Sequence, residues 1–393
     1  MQEIYNQNMQ RHVFYLNGAP NQTRWEIFVG KIVFFVLLCA FSLNLNATNI
    51  VDVYGADLRE SENIIKNYGT LVGDIESQFI KEMIKISNGG KDHYIQKVVL
   101  PKKTQLINEI KKHYNFAFVQ FDTIFYPNDK DTHTTIEVIT QNDKNRLRFI
   151  PQKNKVQSTP KLKHDLVDKM MKFHDRSMNL LVNNQLNSIV TKCPVYHCLP
   201  GFNHPELRDA FTSLINQARK EKALLINTID NDLLPERRVA AVYLVGYLND
   251  PHEIISLLTK HVMDSDDGVR NSAMRVIAET MRKAKIDEIN VKPFLGLLDS
   301  PYDTDRNKAL YVLLSASNSP LSKQLIIRDG NKQLMALLQL KQPNNHDIAY
   351  SLLKNISGKD FGSQNIDAWK KWITKEVTDN KNILAAYSGG PDH

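Results

Sequence analysis

The chain has 393 residues, of which 42% are hydrophobic and 24% are charged, and its formal net charge is +7. This composition excludes a wholly disordered chain, and the length allows two domains or one elongated domain. The positive charge is uneven, because nine lysines and arginines lie between Lys144 and Lys172 against two aspartates. We interpret that stretch as a solvated linker and helix face, with a patch for an anionic surface as the alternative.

The N-terminus contains an uninterrupted apolar run, IVFFVLLCAFSL, over residues 32–43. Arg24 and Lys31 precede it, and the small residue Ala47 follows. A membrane-spanning helix needs about 20 apolar residues, whereas a short apolar core behind a positive flank is typical of a secretory signal peptide. We therefore predict a signal peptide over residues 1–47 and export to the periplasm or the outside. An uncleaved anchor and a buried strand or helix are the alternatives.

Residues 48–141 are predicted to form a small α+β domain. Residues 49–55 form its first strand, and apolar residues then follow helical spacing over 60–86 and 104–113. Because Gly69 and Gly73 interrupt the first of these helical stretches, we expect two helical pieces there. Residues 116–126 and 132–140 alternate as strands around the turn sequence PNDKD, which predicts a hairpin.

The element order strand, helix, helix, strand, strand, with the segment YNFAFVQFD after a helix, resembles a POTRA domain. POTRA domains are periplasmic modules of outer-membrane assembly proteins, so the resemblance implies an adaptor role in envelope assembly. Next come a predicted basic linker, 142–164, and a helix with a cysteine-containing loop, 165–203. We expect that helix to run from Leu166 to Val190.

An internal repeat occupies residues 204–375. Its phase markers are Arg238, Arg270, Arg306 and His346, which lie 32, 36 and 40 residues apart. Alanine follows each marker by three residues, and two branched aliphatic residues follow one turn later; the alanines are Ala241, Ala273, Ala309 and Ala349. A second apolar segment precedes each marked helix. Helical hairpins at this period predict a stacked solenoid in which alanine allows neighbouring helices to approach closely.

The repeat resembles the bacterial HEAT-repeat family, notably in DSDDGVRNSAMRVIA (264–278) and SPYDTDRNKALYVL (300–313). In that family a loop Asp and a helix Arg six positions later form a ladder across repeats. Asp232/Arg238 and Asp264/Arg270 match that spacing, whereas the third repeat has Ser300 and the fourth has neither residue. The predicted fold is thus an α+β unit followed by an all-α HEAT-like solenoid, with residues 376–393 as a C-terminal tail.

One cluster of residues could carry chemistry. Cys193, His197, Cys198 and His204 lie within twelve residues and could supply four zinc ligands. Their spacing matches no standard zinc finger, and an exported chain meets an oxidising compartment. A Cys193–Cys198 disulfide is therefore the favoured interpretation, with unpaired cysteines and a metal site as alternatives.

The chain carries no HExxH, no GxSxG and no phosphate-binding glycine loop. We predict neither catalytic residues nor a cofactor. The expected function is an exported, non-enzymatic scaffold that binds a protein partner along the solenoid. Membrane contact is expected only through the signal segment or an envelope partner. A HEAT-like nucleic-acid enzyme is the alternative from another class, and we expect no nucleic-acid partner.

Overall fold

The computed structural model describes residues 49–388, except 88–89, 126–130, 151–162, 184 and 187–191. The predicted signal peptide lies outside these residues. Within them, no helix combines the length and the apolar content needed to cross a bilayer.

The N-terminal unit has the predicted order of elements. A π-helical segment, Ile95–Val99, leads directly into its second helix. The strands and helices are β1 (Asn49–Tyr54), α1 (Leu58–Ser87), α2 (Leu100–His113), β2 (Phe118–Phe125) and β3 (Thr132–Ile139). Strand β3 lies in the centre of the sheet, parallel to β1 and antiparallel to β2.

The expectation of two helical pieces over residues 60–86 is wrong, because α1 is a single helix. Gly73 lies where α1 packs against β1. A Cβ atom at this position would lie 3.5 Å from the Asn49 side chain and 3.8 Å from that of Val51. These are ordinary contact distances, so the helix passes close to the strand at Gly73 and continues without a break.

The two faces of the sheet have different chemistry because successive side chains of a strand point to opposite sides. One face is apolar and packs on α1 and α2; its buried residues include Val51, Phe121, Ile136 and Val138. The other face carries Asp52, Asp122 and Glu137, which are also buried. The polar face is covered by the C-terminal half of the chain.

Most of the predicted linker, residues 151–162, lies outside the described residues. Before it, Gln141–Phe149 is 3-10 helical with a kink at Asp143; most of its residues are exposed, whereas Arg146 and Phe149 are buried. The helix predicted from Leu166 to Val190 ends at Val182. The helices from this point are α3 (Leu166–Val182), α4 (Arg208–Lys220), α5 (Lys222–Asn231), α6 (Pro235–Val245), α7 (Pro251–Thr259), α8 (Asp267–Ala284), α9 (Lys292–Leu297), α10 (Asp303–Ala316), α11 (Pro320–Leu338), α12 (Pro343–Ser357) and α13 (Ile366–Ser388).

The helices pack as hairpins in two rows. The front row consists of α3, α6, α8, α10 and α12, each in contact with the next. Helices α5, α7, α9 and α11 form a back row, and each packs on the front-row helix that follows it. One apolar core continues from Leu166 through Ile373. We call the two rows of helices the array. Helix α3 belongs to it, because α3 packs on α6 and shares the same apolar core. Helix α13 packs on α11 and extends through the first part of the predicted tail to Ser388; residues 389–393 lie outside the described residues.

The four marker alanines are fully buried in front-row helices: Ala241, Ala273, Ala309 and Ala349. They lie in α6, α8, α10 and α12, the helices that contact one another side by side. A small side chain lets two helix backbones approach, and the aliphatic residues one turn later fill the space beside it. The paired aliphatic residues are also fully buried: Leu244, Val245, Val276, Ile277, Val312, Leu313, Leu352 and Leu353.

Candidate functional site

A chain of buried ion pairs runs along the front row. Arg238, Arg270 and Arg306 each donate to the carbonyl oxygen six residues earlier in the chain, at 2.9, 2.8 and 2.7 Å. Arg238 also donates to both carboxylate oxygens of Asp264 in the next repeat, at 2.7 and 3.1 Å. Each arginine therefore closes its own inter-helix loop, and Arg238 binds the loop of the following repeat.

The third repeat keeps this pattern with a different acid. Ser300 stands where the second repeat has Asp264, and Asp305 instead accepts from Arg270 Nε at 2.9 Å. The Ser300 hydroxyl donates to the same Asp305 oxygen at 2.7 Å. The acid of the third repeat therefore stands at position 305, five residues after the position where the spacing between Asp and Arg places it. The sequence comparison missed it for that reason.

The chain of ion pairs begins earlier than the sequence indicated. Arg237 of α6 contacts Asp165, the residue just before α3, and Asp168 in the first turn of α3. Its Nε also lies 2.8 Å from an Asp232 carboxylate oxygen. Burial opposes ionisation of Asp165 and Asp232. Arg237 donates hydrogen bonds to both carboxylates, and Lys163 donates a further one to Asp232. These bonds outweigh the effect of burial, so the pKa of both carboxyls is lowered. These contacts join α3 to the array.

At the other end, the sheet supplies the acid for Arg306. Glu137 on β3 accepts from the two terminal nitrogens of Arg306 at 2.9 and 2.5 Å, and both side chains are fully buried. The centre of the Tyr54 ring lies 4.0 Å from the guanidinium carbon of Arg306. The Tyr54 hydroxyl donates to the Leu298 carbonyl at 2.7 Å. No local signal in either segment predicts this pairing.

Two further contacts join the sheet to the array. Asp52 on β1 accepts from the backbone N–H groups of Lys341 and Gln342 at 2.6 and 2.9 Å, immediately before α12. Arg146 donates to the Asp299 carbonyl at 2.7 Å and to the Val138 carbonyl at 3.1 Å. Buried polar groups thus find partners across the boundary between the two halves.

The carboxyls at this boundary have raised pKa values. Burial raises the pKa of Glu137 to about 7 against the opposing charge of Arg306. Burial and the neighbouring Glu137 raise the pKa of Asp122 well above its usual range. One Asp122 oxygen accepts from Gln120 at 2.6 Å, and the other has no hydrogen-bond partner among the described residues.

The fourth repeat replaces arginine by amides. Asp303 accepts from Gln342 at 2.8 Å and from Asn344 at 2.7 Å, and it also contacts Asn345. The marker His346 contacts the Leu338 carbonyl through Nδ1 at 2.8 Å. The array therefore continues into α12 through amide donors to a buried carboxylate that also lies 3.7 Å from a terminal nitrogen of Arg306.

The cysteine-containing loop lies against α6 and α8. The sulfur atoms of Cys193 and Cys198 are 2.04 Å apart, which is disulfide distance and agrees with the favoured interpretation. Because the two sulfurs are bonded to each other, they do not act as thiolate ligands for zinc. No group of three potential metal ligands is assembled in the described parts of the chain. His204, the fourth candidate, accepts from the Glu206 N–H at 3.3 Å.

His197 anchors this loop to the array. Its Nδ1 lies 2.6 Å from a Glu279 carboxylate oxygen on α8, and its ring stacks on Tyr243 of α6 at 5.1 Å. The backbone N–H of Tyr196 donates to the Gly246 carbonyl at 3.2 Å, and Lys283 contacts the Cys193 and Val195 carbonyls. A Cβ at Gly246 would lie 2.9 Å from the His197 Cβ, so glycine is required for this approach.

Two basic side chains come together where α8 packs on α10: the half-buried Arg275 of α8 and the buried Lys308 of α10. Lys308 is 3% exposed, and its ammonium donates to the Asn307 side-chain oxygen at 2.7 Å. Burial and the charge of Arg275 hold the pKa of Lys308 well below its usual range. Sequence reasoning missed this pair, because lysine and arginine on a helix ordinarily indicate a solvated face.

Comparison of the chain with protein-family models, curated proteins and solved structures finds no match. The arrangement itself is therefore the basis for a functional proposal: an α+β unit joined by buried ion pairs to an array of helical hairpins.

Proposed function

We propose that the C-terminal helices form a HEAT-type solenoid and that the protein is a non-enzymatic scaffold that binds another protein along the front row. The observation that carries this proposal is the side-by-side contact of α3, α6, α8, α10 and α12, with a fully buried alanine in each marked helix. A solenoid stacks its repeats side by side and presents an extended surface to a partner.

The proposed location is outside the cytoplasm. A bonded Cys193–Cys198 pair is typical of oxidising compartments, and the N-terminal apolar segment suits export. We retain the POTRA-like interpretation of residues 48–141 as a second proposal, an adaptor for envelope assembly. It is supported by the mixed three-stranded sheet with two helices on one face.

Site-specific photo-crosslinking in the native host tests the scaffold proposal. A photoreactive residue is placed at Ser315 on α10, in the front row, and at Ser256, which is exposed on α7 in the back row. We expect a discrete crosslinked protein from Ser315 and none from Ser256. Crosslinking to no protein from any front-row position would reject the scaffold function.

N-terminal sequencing of the native protein, together with its cellular fraction, tests the location. We expect a chain that begins after Ala47 in an exported fraction. An intact N-terminus in a membrane fraction would support the anchored alternative, and a cytoplasmic fraction would reject export and envelope assembly.

A further inference from the structure

The loops that lead from back-row to front-row helices lie along one edge of the array. We call this the loop edge; its four loops are residues 232–234, 260–266, 298–302 and 339–342. The N-terminal unit contacts the last two of them. Arg146 donates to the Asp299 carbonyl at 2.7 Å, and Asp52 accepts from the Lys341 N–H at 2.6 Å. This part of the loop edge is therefore an interface within the chain.

The first two loops expose large apolar side chains at the same positions of the repeat. Leu233 is 82% exposed and Met263 is 46% exposed. Leu233 is equivalent to Lys341, because each lies five residues before the marker of its repeat. Met263 is equivalent to Asp299, because each lies seven residues before its marker. The positions that the N-terminal unit contacts in the last two repeats are thus apolar and accessible in the first two.

Leu233 and Met263 lie on adjacent loops. A carboxylate oxygen of Asp230 lies 3.1 Å from Nε2 of His261. These two residues stand three positions before Leu233 and two before Met263. Burial lowers the pKa of His261 in spite of the Asp230 charge, so the imidazole is neutral at neutral pH and does not balance that charge. Exposed apolar side chains on neighbouring loops are more typical of an interaction surface than single ones are.

The charge around these two side chains is negative. Residues 230–236 and 260–267 contain six carboxylates and a single lysine, Lys260. Two of the carboxylates are paired with cations from elsewhere in the chain, namely Asp232 and Asp264. The remaining acids outnumber the lysine, and they include side chains that are at least partly exposed.

We propose that this part of the loop edge, residues 230–236 and 260–267, binds a protein segment with apolar side chains flanked by lysine or arginine. The apolar side chains pack on Leu233 and Met263, at the positions that the N-terminal unit contacts elsewhere on the edge. The cations face the carboxylates, which also repel an anionic membrane surface. The surface lies at the ends of the front-row helices, so it adds a second binding surface to the one proposed along them.

Fluorescence anisotropy with the full chain and three labelled peptides tests the proposal. One short peptide alternates leucine with lysine, the second has glutamate in place of every lysine, and the third has serine in place of every leucine. We expect the first peptide to bind, more weakly as salt increases. The other two should bind on the order of tenfold less tightly or worse. No binding of the first peptide, or equal binding of the glutamate peptide, would overturn the proposal.

Variants locate the site. Leu233→Ser/Met263→Ser should weaken binding of the leucine–lysine peptide on the order of tenfold or more, because it removes both apolar contacts. The matched control is Leu321→Ser, at a leucine that is 67% exposed at the start of α11, after a front-row helix rather than before one. The control should bind as the wild type does, and equal weakening in both variants would contradict the proposed site. If circular dichroism shows that the double variant does not fold, Leu233→Ser decides alone.

Sedimentation velocity of the full chain tests the competing occupant, a second copy of the protein. We expect no association that depends on Leu233. Concentration-dependent association that Leu233→Ser abolishes would identify a second copy on this edge and overturn the proposal.

Discussion

Glu137 of β3 and Arg306 of α10 are 169 residues apart in the chain, yet they form a fully buried ion pair with two hydrogen bonds. Arg238 and Arg270 pair with aspartates of the next helical repeat, Asp264 and Asp305. The arginine of the third marked helix instead pairs with the sheet. The N-terminal unit thus takes the place of an acid from the following repeat and joins the array through its side chains.

Replacing Glu137 should destabilise the protein strongly. In Glu137→Met the Arg306 guanidinium stays charged, because its pKa lies far above neutrality, and it is left buried without its carboxylate. Breaking a buried ion pair on one side costs about 3–5 kcal/mol. Because the pKa of Glu137 is about 7, urea denaturation at a pH about one unit higher, where the carboxyl is mostly ionised, measures this loss. The control is Asp329→Ala at the exposed Arg328–Asp329 pair, which should cost less than about 1 kcal/mol. Equal losses in both variants would contradict the described junction.

Enlarging a marker alanine should separate two front-row helices. Ala273→Leu inserts a larger side chain at a fully buried position of α8, and overpacking of this kind costs about 1–3 kcal/mol. Ala223→Leu, at an exposed position of α5, makes the same chemical change with little effect on the midpoint of thermal unfolding. An unchanged midpoint in Ala273→Leu would show that the alanine does not lie at a tight helix contact.

Loss of the Cys193–Cys198 bond should destabilise the protein modestly. Closing so short a loop stabilises the folded state by about 2 kcal/mol in the chain-entropy description. Urea denaturation of the Cys193→Ser/Cys198→Ser variant should show this decrease. A reducing agent should lower the stability of the wild type to that of the variant and leave the variant unchanged. Mass spectrometry of alkylated protein without reductant should find both cysteines unmodified, and modification of both would contradict the bond.

Asp122 should make stability depend on pH. Burial raises its folded-state pKa above the unfolded value of 3.8, so the folded protein binds the proton more tightly than the unfolded chain does. This carboxyl therefore contributes stability at low pH, and the contribution is lost as pH rises above about 4. Asp122→Asn keeps a neutral group of similar shape. Its free energy of unfolding should decline less between acidic and neutral pH than that of the wild type.

The Asp122 experiment has a matched control. Asp329→Asn changes a partly exposed carboxyl whose pKa is lowered by its hydrogen bond with Arg328, so this variant should not reduce the decline. If Asp122→Asn and the wild type lose stability in parallel as pH rises, the carboxyl is not buried as described.

The sequence by itself determined the local architecture. Helical spacing of apolar residues, strand alternation and the recurrence of alanine after each marker depend on short segments, and their periods correspond directly to helices and strands. The element order of the N-terminal unit and the burial of Ala241, Ala273, Ala309 and Ala349 were predictable on this basis. The Cys193–Cys198 pairing was favoured from composition and inferred location, although alternatives remained.

Only the tertiary structure decided which charged groups meet. Glu137 and Arg306, or Arg237 and Asp168, lie on elements far apart in the chain, and no periodicity in either segment identifies its partner. The same holds for Lys308, whose burial beside Arg275 depends on how α8 and α10 pack. Hydrophobic pattern is a property of a segment, whereas the energy of a buried charge depends on every group around it. The sequence therefore predicted the helices and their repeat, and the packing of the helices and sheet created the junction between the two halves.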